Sequence, residues 1–215
     1  MKTILCFGDS LTYGANPVAG GVRHAHEDRW PGALEAKLVG KARVIAEGLG
    51  GRTTAFDDWL AGVDRNGLRI LPTLLESHGP LDLVIIMLGT NDLKPFLART
   101  AQEASNGMRQ LVRTVRGHHA GQGLAVPKII VMSPPEISDT DHPEMLGHFG
   151  GSAAIEQSKL FAKWYRQRAE EEGVAFFDAA TVAKPHPADG VHLDAANTRA
   201  IGEALVPLVS ELLGL

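Results

Sequence analysis

The sequence predicts an α/β domain of three layers, α/β/α, around a five-stranded parallel sheet. Five short apolar runs recur along the 215 residues, and helical patterns fill the spaces between them. The runs are continuously apolar rather than alternating, as strands buried on both faces of a parallel sheet are. Regular alternation of strand and helix then implies right-handed crossovers with helices on both faces.

The first strand is TILCF, residues 3–7, followed by the polar junction GDS. WPGALEAKL (30–38) reads as a helix, with Pro31 in its first turn, where a fixed φ helps and no backbone donor is needed. ARVIA (42–46) is the second strand and NGLRILPTLLESH (66–78) the next helix. LVIIM (83–87), the helical AQEASNGMRQLVRTVRGH (101–118) and the strand KIIVM (128–132) continue the alternation. SAAIEQSKLFAKWYRQRAEEEG (152–173) reads as one long helix ended by Gly173 in a left-handed conformation, with Leu160 and Trp164 on a core-facing stripe. VAFF (174–177) is the last strand, and a helix over 195–213 follows, capped by Asp194.

One stretch fits no regular element: SPPEISDTDHPEMLGHFGG, residues 133–151, where Pro134, Pro135 and Pro143 argue against a helix. A loop of that length is functional or takes part in assembly more often than not. It reads as a rim of the substrate site, a subunit contact or a surface excursion. The length suits a single domain over 1–215 with this irregular insertion.

Composition narrows the partners. Apolar residues make up 44% and charged residues 21%, ordinary for a chain with a packed core. A net charge of -4 offers no basic field to a nucleic acid backbone. The longest apolar runs are strand-sized and far short of a membrane span. The start MKTILCFGDS lacks the apolar core of a signal peptide, and the single Cys6 has no disulfide partner within the chain, so a cytoplasmic location is expected. Cys6 itself reads as a small buried hydrophobe rather than a nucleophile.

Ligands bind at the carboxyl ends of strands in an open parallel sheet. GDS, GLGGRTT, GTND and SPP follow the first four strands and so converge on one edge. Ser10 there could be a helix cap or a nucleophile. A serine nucleophile needs an imidazole within hydrogen-bond reach and a carboxylate on that imidazole's far nitrogen. Asp189 and His192, three residues apart in ADGVHLDAANTRAIG, supply such a pair. Acyl transfer also needs donors for an oxyanion. The Asn91 amide and a backbone N–H of Gly50 or Gly51 are candidates, although a helix cap and a tight turn are the plain alternatives.

With these residues in view, the chain resembles the SGNH hydrolase superfamily, also called the GDSL esterase/lipase family. FGDSLTYG resembles its nucleophile block, EGLGGRTT its glycine block, MLGTND its asparagine block and DGVHLDAANTRAIG its aspartate and histidine block, in order across residues 7–202. DRWPGAL, GLGGRTTAFDD and NGLRILPTLLESHGPLDLVIIMLGTND are similar to bacterial arylesterases and acyltransferases of the superfamily. The resemblance implies a flavodoxin-like strand order; separately, no histidine has zinc-ligand spacing with a carboxylate or thiol, so no cofactor or metal is expected. The resemblance also implies Ser10 as nucleophile, His192 as base and Asp189 as orienting carboxylate. The implied oxyanion donors are the Ser10 N–H, the Gly51 N–H and the Asn91 side chain. The expected activity is hydrolysis of short-chain or aryl carboxylic esters, with acyl transfer to alcohols or peroxide as an extension. A homo-oligomer is expected.

Tyr13, Phe96, Leu97, Met132 and Pro135 lie just beyond strands or motifs and are candidate substrate-pocket walls, with ordinary packing as the alternative. A carbohydrate O-acetylesterase of the acetylxylan type is the alternative activity. It would need a more open, polar cleft with stacking aromatics, and Trp30 and Trp59 form no evident platform in the sequence. The remaining histidines show no zinc-ligand spacing, and GLGGRT lacks the spacing of a dinucleotide or P-loop motif.

Overall fold

The computed structural model describes residues 1–20 and 22–215. Strands β1 (Lys2–Gly8), β2 (Ala42–Gly48), β3 (Leu83–Met87), β4 (Lys128–Ser133) and β5 (Ala175–Asp178) form one parallel sheet in the order β2-β1-β3-β4-β5. This is the expected five-stranded sheet in the flavodoxin-like order. The chain runs outward from β1 to β2 and then returns past β1 to β3, so the β1/β3 boundary is a topological switch point.

The helices are α1 (Ser10–Tyr13), α2 (Trp30–Lys37), α3 (Gly67–His78), α4 (Ala101–Gly121), α5 (Pro143–Phe149), α6 (Ser152–Ser158), α7 (Phe161–Glu172) and α8 (Ala195–Leu213). Successive strand residues face opposite sides, which sorts the core into two layers. Leu5, Phe7, Val84, Ile86 and Val131 pack beneath α3, α4 and α7. Ile4, Cys6, Ile85, Met87, Ile130 and Met132 pack beneath α2 and α8. All five residues of β3 are buried, which explains why that run carries no polar residue.

Local chemistry sets most boundaries. The Asn66 side chain accepts the N–H groups of Leu68 and Arg69 at the start of α3, and Thr100 and Glu103 form a reciprocal capping box on α4. Asp194 caps α8 by accepting the Asn197 N–H at 2.8 Å. Gly173 ends α7 at φ 58°, as expected.

Three expectations are corrected. The helix predicted over 152–173 is two helices, α6 and α7, broken at Lys159 and Leu160. Ser158 Oγ donates to the Ile155 carbonyl at 2.7 Å and accepts the Ile137 N–H at 2.9 Å, tying the end of α6 to the preceding loop. Leu160 is consequently exposed, and Phe161 and Tyr165 form the buried stripe with Trp164 packed at its edge. The prolines of 133–151 do not exclude a helix either, because Pro143 opens α5, a position where its missing donor costs nothing. Cys6 is fully buried, and burial pushes its thiol well up, consistent with the hydrophobe reading.

Helices α2 and α8 pack tightly against each other. Trp30 N–H donates to Thr198 Oγ1 at 3.0 Å, and Gly202 lies against the same turn of α2. A methyl group on Gly202 would run into the Trp30 carbonyl oxygen and come within 2.9 Å of Ala33 Cβ. Backbone cannot yield as a flexible side-chain tip does. We expect Gly202→Ala to destabilise the protein by about 1–3 kcal/mol in urea unfolding. An unchanged midpoint would mean that the two helices separate without cost.

Candidate active site

Ser10 is the first residue of α1, directly beyond β1. The cap of that helix is Asp9, whose carboxylate accepts the Leu11 N–H at 2.9 Å. Ser10 is therefore not the cap, and its hydroxyl is free for another partner. The four-residue helix crosses the end of β2 so closely that any side chain at Gly48 would collide with the Tyr13 and Thr12 backbone.

That partner is His192. Its Nε2 lies 2.9 Å from Ser10 Oγ, and its Nδ1 lies 2.6 Å from Asp189 Oδ2. A carboxylate only accepts, so Nδ1 carries the proton and Nε2 presents its lone pair to the serine hydroxyl. Asp189 Oδ1 also accepts the backbone N–H groups of Val191 and His192, at 2.9 and 2.8 Å. Burial alone would raise the Asp189 pKa, but the His192 hydrogen bond, the His192 charge and the two N–H groups hold it below the usual carboxylate range. The turn bearing these residues is fixed from outside: His24 Nε2 donates to the Leu193 carbonyl at 2.8 Å, and the His186 N–H donates to the His192 carbonyl at 2.7 Å.

Ser10, Gly50, Gly51, Asn91 and His192 share one cavity of about 620 Å³. Asn91 enters it from the 3₁₀ turn after β3. Its Nδ2 donates to Asp9 Oδ2 at 3.2 Å and to the Arg52 carbonyl at 3.1 Å. Gly51 adopts φ +82°, a conformation that favours glycine, and a side chain there would strike the Arg65 guanidinium.

Two buried carboxylates lie behind this group. Burial raises Asp9 to about 6 against the lowering influence of the Leu11 N–H, His192, Arg52 and Asn91. Asp92 accepts the Thr54 N–H at 2.8 Å, and burial raises it to about 7, opposed by the Thr54 hydrogen bonds and reinforced by the Asp9 charge.

Of the expected pocket walls, Phe96 lines the cavity and is 47% exposed. The other four lie outside its lining. Tyr13 packs under the Arg23 guanidinium, 4.1 Å from its ring centroid. Met132 belongs to the core beneath α2 and α8, because its position in β4 points it to that layer. Pro135 is buried just past β4, and Leu97 sits half-buried in the turn after Phe96. Walls not anticipated include Asp58, Arg65, Lys94, Met145, His148 and Phe149. Asp58 and Lys94 form an ion pair at 2.9 Å with side chains only 4% and 5% exposed. The DD pair at 57–58 is thus ion-paired, with Asp57 held by Arg69 at 2.7 Å. Four of the lining residues, Met145, Gly147, His148 and Phe149, come from α5, so the 133–151 stretch does rim the cavity. Trp30 is buried in the core, whereas Trp59 is 83% exposed.

The model of the GDSL-like Lipase/Acylhydrolase family matches residues 6–200. The chain belongs to that family. Carboxylic ester hydrolysis is the family's chemistry. Among solved structures, a carbohydrate acetylesterase family member from Sinorhizobium meliloti is 50% identical, with TM-score 0.95 over all of both chains. The aryl esterase of M. smegmatis is 41% identical, with TM-score 0.93 over 99% of this chain and 100% of that one. Thioesterase 1/protease 1/lysophospholipase L1 of Escherichia coli (strain K12) is 27% identical over 118 residues, covering 55% of this chain and 47% of that protein. The chain thus spans about half the length of the curated relatives it matches.

The buried carboxylates give a pH signature. Both have native pKa values above the usual ~3.9 of an unfolded aspartate, so the stability they contribute is complete below about pH 4 and lost as the pH rises through 6 to 7. Asp92→Asn removes one of these titrations. We expect its urea midpoint to fall less than that of wild type between about pH 5 and 8. Parallel curves would show that Asp92 does not titrate in this window.

Proposed function

We propose that the protein is a serine carboxylic ester hydrolase acting on O-acetyl esters of carbohydrates. The observation that carries the chemistry is the hydrogen-bonded series Asp189, His192, Ser10 opening into a cavity. Ser10 Oγ attacks the ester carbonyl while its proton passes to His192 Nε2, and the carbonyl π electrons move onto oxygen. Asp189 holds the imidazolium that forms. The Ser10 N–H, the Gly51 N–H and the Asn91 amide serve as oxyanion donors, each worth about 3 kcal/mol of transition-state stabilisation. Because Asn91 already spends its N–H groups on Asp9 and the Arg52 carbonyl, its contact with the oxyanion draws on one of these long hydrogen bonds. Collapse expels the alcohol with the proton from His192. Water then attacks the acetyl-enzyme, His192 accepting its proton and returning it to Ser10 Oγ.

Three observations support a carbohydrate leaving group over an aryl one. Asp58, Arg65 and Lys94 put polar groups into a lining that is otherwise mostly apolar, and two Sinorhizobium meliloti relatives, 50% and 41% identical, are described as a carbohydrate acetylesterase family member and a carbohydrate acetylesterase. Trp59 and Phe96 are also exposed, giving the stacking surfaces that the sequence alone did not reveal. Aryl esters are the second reading, favoured by Phe96, Phe149 and Met145 in the lining and by the M. smegmatis relative. Acyl transfer to an alcohol or peroxide follows wherever such an acceptor outcompetes water.

The test pairs a serine-directed fluorophosphonate with turnover of acetylated xylo-oligosaccharides and 4-nitrophenyl acetate. Ser10→Ala is expected to lose both labelling and turnover, and Asp189→Asn to lower kcat by about 10³–10⁴. Turnover retained in Ser10→Ala would overturn the mechanism. A higher kcat/KM on the aryl ester than on every acetylated sugar would replace the carbohydrate reading with the aryl one.

A further inference from the structure

A second recess of about 290 Å³ adjoins the catalytic cavity, the two sharing Asp58, Ala61 and Arg65 in their walls. Three carboxylates and three cations line this junction. Arg69 binds Asp57 and Asp64, each at 2.7 Å, and Lys94 binds Asp58 at 2.9 Å. Arg65 is left over. Among the described residues its guanidinium forms no hydrogen bond or ion pair, and its Nε is buried without a partner. It is also wedged against Gly51, beside the proposed oxyanion site.

A buried donor without an acceptor is costly, and guanidinium groups offer donors only, in a planar fork. Every nearby carboxylate is held by another cation, so the Arg65 guanidinium, which lines both recesses, is left for an acceptor on a bound molecule. A sugar hydroxyl accepts one N–H, whereas a carboxylate accepts two in parallel and supplies the opposite charge. We propose that Arg65 is the receptor for a carboxylate on the alcohol part of the ester, so that an O-acetylated acidic sugar is preferred over a neutral one. This rests on the acetyl-ester reading above: with so small an acyl group, the anionic group must sit on the alcohol.

The experiment measures kcat and KM for 4-acetoxybenzoate and its neutral methyl ester, and for acetylated methyl glucuronide and methyl glucoside. In wild type the carboxylate member of each pair is expected to be favoured about tenfold in kcat/KM, through KM. In Arg65→Gln the ratio is expected to fall to about one, with Arg65→Lys intermediate because it keeps the charge but loses the fork. Preference in the benzoate pair only would assign an aromatic acid, and in the uronate pair an acidic sugar. An equal loss on charged and neutral esters would overturn the proposal in favour of an effect on the oxyanion through Gly51. Calorimetry of 4-hydroxybenzoate against 4-hydroxybenzamide on wild type gives a reading independent of turnover, so loss of all ester hydrolysis leaves it standing. Equal affinities there would also overturn the proposal.

Discussion

The 2.9 Å contact between Ser10 Oγ and His192 Nε2 joins residues 182 positions apart. Such closure carries an entropy cost that no local interaction offsets, so the framework on either side has to be rigid. On the serine side the framework is β1, paired on both edges within the sheet, and a four-residue helix whose start is fixed by Asp9. On the histidine side it is the cap of α8, the packing of α8 on α2, and the brace from His24 to the Leu193 carbonyl. The cavity exists because these two frameworks meet at the switch point of the sheet.

Beneath Ser10 and Asn91 lie two buried carboxylates. Asp9 and Asp92 are both buried, and each is held by a short list of donors: Leu11 N–H and Asn91 for the first, the Thr54 N–H for the second. Satisfied polar groups of this kind fix one geometry where apolar packing would tolerate several. Asp9 links the helix bearing Ser10 to the Asn91 amide, so one carboxylate aligns two parts of the proposed site.

The layers, the strand count and the grouping of Ser10, Asn91, Asp189 and His192 were legible because they rest on continuous apolar runs and on polar residues at strand ends. The break between α6 and α7 was not, since both halves are sound helical sequence and the interruption comes from Ser158 serving a loop twenty-one residues away. The cavity walls were harder still. Proximity to a motif put Met132 on the list, but the alternation of β4 turns it into the core. Asp58, Lys94 and Arg65 escaped because charged residues in loops ordinarily face solvent, and only the folded loop over 57–65 shows which of them pair.

The histidine turn immediately precedes α8. During synthesis, which proceeds from the N-terminus, β1 and its serine emerge first and Asp189 and His192 more than 170 residues later. A nascent or interrupted chain therefore carries the hydroxyl without its base. On the proposed mechanism such a chain would stay silent toward esters until the segment bearing Asp189 and His192 docks, so reactivity waits on a contact made late in synthesis.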